Sequence, residues 1–141
     1  MKTKIIDETF DEKSGLTTVT LQNKYGHFTG IARCHPDDEY SMFQGERIAA
    51  TRANIKFLEF RIKQTKIMIK SIYDFVGDYK WHFITNPIIL DDPLFDHAAL
   101  KIINYKKDIE NYKTSIEILK NSIKLMDEER QKVLQRSKKN K

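Results

Sequence analysis

From Phe95 onward, apolar residues return at intervals of three and four: Phe95, Ala98, Ile102, Tyr105, Ile109, Tyr112, Ile116, Leu119, Ile123, Met126 and Val133. Arg130 is the one interruption of this a/d stripe, which predicts a helix over 92–136. Asp92 suits the N-cap and Pro93 the first helical position. A second series, Ile48, Thr51, Ile55, Leu58, Ile62, Thr65, Ile69, Ile72 and Val76, predicts a helix over 41–77. Ser41 and Gln44 have the spacing of a capping box, and Gly77 stands where a C′ stop belongs. Ala49, Ala50, Ala53, Phe57 and Phe60 are more apolar positions than one seam needs, so this helix packs on two sides. Two seams of this length require mutual cover, which an antiparallel helical hairpin of coiled-coil type supplies.

Before Ser41 the period shortens to two. Leu16 to Leu21 reads as a strand with Thr17, Val19 and Leu21 on one face. Phe28 to Cys34 is a second, with Phe28, Gly30, Ala32 and Cys34 opposite Thr29, Ile31 and Arg33. Lys4 to Phe10 is a weaker third. The segments 11–15 and 23–26 carry turn chemistry. The small residues Gly30 and Ala32 would admit a helix at close range. The expected fold is α+β, in one domain: a small N-terminal antiparallel sheet (1–40) packed on the long hairpin. A connector spans 78–91 and a basic tail 137–141. The connector holds Trp81, Phe83, Ile84, Ile88, Ile89 and Leu90, too apolar for a plain turn. It caps the hairpin internally or forms an interface.

Composition narrows the class. No apolar run approaches the ~20 residues of a membrane span, and the N-terminus lacks a signal-peptide core. Cys34 is the only cysteine, which rules out an intrachain disulfide. A cytoplasmic setting without membrane contact is expected. The net charge of +5 is uneven. From Arg130 to the end no acid appears, and the first long helix carries Arg52, Lys56, Arg61, Lys63, Lys66 and Lys70 against Glu59. Such blocks suit nucleic acid, an acidic partner, or solvation alone. For nucleic acid the candidates are Lys56, Lys63, Lys66, Lys70, Arg136, Lys138 and Lys139.

The densest polar constellation is the corner Arg33-Cys-His-Pro-Asp-Asp-Glu39. Its His-Pro-Asp-Asp-Glu string resembles the zinc motif of the PIG-L/LmbE deacetylases. That resemblance implies His35 and Asp38 as zinc ligands and Asp37 as base. It covers five residues. The double glycine of that family is replaced here by Phe43-Gln44-Gly45, and no second His-containing motif follows. Pro36 ending a strand, with acids near a helix N-terminus, accounts for the same residues structurally. There is no phosphate loop, Cys-x-x-Cys pair or dinucleotide fingerprint. No catalytic residue, metal or cofactor is therefore expected. Cys34 and His35 would point to opposite faces of a strand and make no nucleophile–base pair.

A wider segment runs Gly30-Ile-Ala-Arg-Cys-His-Pro-Asp-Asp38, then Gly45, Ile48-Ala-Ala and Arg52-Ala53. It resembles small uncharacterised proteins of Gram-positive phages and, more loosely, an actinobacterial family with a double-stranded-RNA-binding-like fold. The resemblance implies an accessory or counter-defence protein that binds a host protein, a nucleic acid or a signalling nucleotide. The candidate binding residues are Arg33, His35, Asp37, Asp38, Arg47, Arg52, Trp81 and Phe83. The leading expectation is a non-enzymatic, self-associating binding protein. A nucleic-acid-binding module comes second and a zinc-dependent hydrolase third.

Overall fold

The computed structural model describes residues 2–33, 41–85 and 93–139. They form β1 (Lys4–Asp11), β2 (Leu16–Asn23), β3 (Gly26–Arg33), α1 (Ser41–Thr85) and α2 (Pro93–Lys139). The fold is α+β: a three-stranded antiparallel sheet in the order β1-β2-β3, followed by two long helices packed on each other. No described helix is long and apolar enough to cross a membrane. The chain divides into two compact units, and the division cuts both helices. The first comprises Met1–Leu58 with Ser115–Lys141, the second Glu59–Thr114.

In the first unit, the sheet is a meander held by side-chain-assisted turns. The Lys13 N–H donates to Asp11 Oδ1 at 3.0 Å, and the Gly15 N–H to the Asp11 carbonyl at 2.8 Å. Gly15 adopts a φ of 69°, the left-handed conformation that glycine enters without a Cβ penalty. In the second turn the Tyr25 N–H donates to Asn23 Oδ1 at 2.8 Å, an Asx turn. Alternation along β2 is clean: Thr17, Val19, Leu21 and Asn23 are buried, and the residues between them only half so. β3 continues that buried face with Gly30 and Ala32.

Val19, Leu21 and Ala32 form one core with Ile48, Ala49 and Ala53 of α1 and Met126 of α2. Gly30 sets how close α1 comes. A Cβ there would lie 2.5 Å from Ala53 N and closer still to the Ala49 carbonyl oxygen. The small residues on strand and helix therefore interlock backbone to backbone, as the sequence suggests. Further along α1, Phe57 packs against Phe28 and Tyr25, with ring centroids 5.1 and 5.8 Å away.

In the second unit the two helices run antiparallel. Arg61 on α1 meets Tyr112 on α2, whereas Tyr73 meets Lys106, so numbers rise on one helix as they fall on the other. Thr65 and Ile109 are buried in this seam. The Thr65 hydroxyl donates to the Arg61 carbonyl at 2.7 Å, which satisfies a polar group at a seam position.

Two boundaries differ from the sequence expectation. α1 passes through Gly77 to Thr85, taking in residues 78–85 of the expected connector, and α2 extends to Lys139. A C′ glycine needs the left-handed conformation, and the positive-φ glycines are Gly15 and Gly26. Gly77 keeps helical geometry, so it weakens the helix without ending it. The expected N-cap Asp92 and residues 86–91 lie outside the described residues.

Candidate interaction surface

The residues proposed from sequence fall into separate places. Arg33 is exposed at the end of β3, opposite Leu16. His35, Asp37 and Asp38 lie outside the described residues, and with them the zinc-motif reading. Among the described residues no group of three or more His, Cys, Asp or Glu side chains is placed to hold a metal. Arg47 is exposed on α1, and its carbonyl accepts from the Thr51 hydroxyl at 2.7 Å. Trp81 and Phe83 belong to the α1 backbone, and their side chains lie outside what is described.

Arg52 has an internal task. Its Nη1 donates to the Ile31 carbonyl at 2.7 Å. Among the described residues β3 is an edge strand with a neighbour on one side only. The guanidinium therefore caps part of that edge.

Lys56, Lys63, Lys66 and Lys70 are all exposed. Their spacing of seven, three and four puts them on one side of α1, interrupted by the equally exposed Glu59. Arg136 is exposed on α2, while the side chains of Lys138 and Lys139 lie outside what is described. Within the second unit the cations also meet aromatic rings. Arg61 donates to Tyr112 Oη at 3.3 Å with its guanidinium carbon 5.7 Å from the ring centre, and Lys106 approaches Tyr73 likewise. These contacts make Tyr112 part of the helix–helix seam, the core role its spacing implies.

A second set of residues was not singled out by the motifs: apolar side chains that the fold leaves in solvent. In the second unit Ile67, Tyr73 and Phe75 on α1 and Leu100 and Ile103 on α2 are more than half exposed. Seam residues beside them, Ile62, Ile69, Ile72, Ile102 and Tyr105, are only half-buried. A cleft of about 250 Å³ opens there between Ser71, Ile72 and Phe75 on one helix and His97, Ala98 and Lys101 on the other. It falls below the roughly 300–1,000 Å³ of pockets that enclose a small ligand. In the first unit Ile118 and Leu125 are exposed one heptad apart on α2, and Ile5, Ile6 and Phe10 are exposed on β1. The available signal was arithmetic: each of these helical residues is apolar yet off the a/d stripe.

The second unit thus exposes mostly apolar side chains on both helices, with Lys63, Lys66 and Lys70 in solvent on α1. Comparison with protein-family models, with curated proteins and with solved structures finds no match to this chain.

Proposed function

We propose that this chain is a non-enzymatic binding protein that associates with itself and with another protein through its helical hairpin. One observation carries the reading: in the second unit, apolar side chains off the seam stand in solvent while the seam beside them is half-covered. A two-helix seam buries a line of contact, and further apolar surface on both sides is characteristic of helices that take additional partners. The phage-like segment of β3 and α1 supports a phage accessory or counter-defence role in a host cytoplasm. The partner there is a host protein or a signalling nucleotide. The exposed apolar side chains of the second unit favour the protein.

The exposed row Lys56, Lys63, Lys66 and Lys70 supports a second reading, binding of a nucleic-acid backbone. The deciding experiment is affinity capture from bacterial extract on immobilised protein, with and without nuclease, using the parent and an Ile67→Glu/Leu100→Glu variant. Capture of the same protein in both nuclease arms, lost in the variant, is the expected result. Capture that vanishes with nuclease and survives the variant would exchange the two readings.

A further inference from the structure

The sheet has two edges, and they are treated differently. At β3 the Arg52 guanidinium occupies the Ile31 carbonyl. β1, the other edge, is exposed along its whole length, residue after residue. Its register with β2 fixes which way its side chains point. Ile5, Glu8 and Phe10 lie opposite Leu21, Val19 and Thr17, on the face that α1 and α2 cover further across the sheet. Yet Ile5 is 51% and Phe10 37% exposed, so the helical layer stops short of this strand. Lys4, Asp7, Thr9 and Asp11 lie opposite Gln22, Thr20, Thr18 and Leu16 on the outer face, where two acids outnumber one lysine. A register shift at Ile6 separates the two stretches.

We propose that the free edge of β1 accepts an extended segment of a partner protein as a fourth strand, apolar on its helix-side face and basic on its outer face. This proposal rests on the binding-protein reading above and names a surface for it. Main-chain hydrogen bonds would supply the pairing, and alternate side chains the selectivity. Apolar residues of the added strand meet Ile5 and Phe10, which flank Glu8 on the same face; basic residues meet Asp7 and Asp11.

Charge argues against a second copy in this place. When β1 pairs antiparallel with itself at full overlap, Asp7 faces Glu8 twice and Lys4 faces Asp11 twice, so like and opposite pairs offset and charge gives this register no advantage. A shift of the pairing by one residue sets Asp7 opposite Asp7 or Glu8 opposite Glu8. Like charges directly across strands are destabilising, and charge on an edge is a common guard against self-pairing. The same acids attract a basic strand.

The test uses the full chain and a labelled peptide of alternating valine and lysine, as long as β1. A valine–glutamate peptide and a valine–lysine peptide N-methylated at alternate residues serve as controls. The expected result is binding of the valine–lysine peptide, roughly tenfold or more weakened in the glutamate control by two reversed cross-strand charge pairs and in the N-methylated control by lost main-chain hydrogen bonds. In Asp7→Lys/Asp11→Lys the preference between lysine and glutamate peptides reverses. Both positions are exposed, and circular dichroism verifies that the variant is folded. Hydrogen exchange supplies the second readout: β1 amides slow when the peptide is added and stay fast without it. Three results would overturn the proposal: no peptide binding, binding indifferent to N-methylation, or β1 protection that rises with protein concentration alone. Each would do so whatever affinity capture on the hairpin variant shows, so the broader reading stands or falls separately.

Discussion

Gly30 shows how much of this fold hangs on the absence of a single carbon. The groups a Cβ would strike are the backbone of Ala49 and Ala53, which cannot swing aside as a flexible side chain would. Gly30→Ala must push α1 off the sheet, and we expect a loss of about 3 kcal/mol, read as a lower urea midpoint with an unchanged slope. The small residues of strand and helix announced this contact in the sequence, because only small residues allow it. Arg52 was not legible in the same way. The resemblance of its segment to phage proteins offers it as a binding residue, while its hydrogen bond to a carbonyl twenty-one positions earlier is visible only once strand and helix are docked. Since this hydrogen bond lies near the surface, Arg52→Ala should cost about 1 kcal/mol in thermal or urea melts.

Among the helices, the interval of three and four carries most of the information, and it holds across both units. Every described a/d position from Ile48 to Ile72 and from Ala98 to Met126 is buried or half-buried. One substitution on the two faces of α2 separates seam from surface. Ile109 is 7% exposed and Ile118 63%. Ile109→Asp should remove roughly 3–5 kcal/mol, because the carboxylate sits unpaired in the seam. Ile118→Asp should stay within about 0.5 kcal/mol in the same melts. The helix end was less legible than the helix. A glycine signals a stop only when the chain turns left-handed there, and that choice belongs to the following residues rather than to Gly77. With open space around its missing Cβ, Gly77→Ala should stabilise α1 by about 1 kcal/mol. β1 read weakly for a physical reason as well: it is exposed along its length, so no buried face imposed strict alternation on it.

For the molecule as a whole, the fold class followed from periodicity, while the proposed interaction surface did not. Chemistry-bearing strings drew attention to the corner at His35, Asp37 and Asp38, whereas the exposed surface consists of ordinary isoleucines, leucines and aromatics whose significance lies in what fails to cover them. A stripe along a helix can be read from one sequence; whether a neighbour covers the next stripe cannot. In the function proposed above, the exposed apolar side chains of the hairpin hold copies of the chain together. Light scattering over a wide concentration range tests it most directly. The parent should show a mass of at least two chains as concentration rises, and Ile67→Glu/Leu100→Glu should return it toward one. A mass that stays at the single-chain value of 16.7 kDa throughout would contradict the claim.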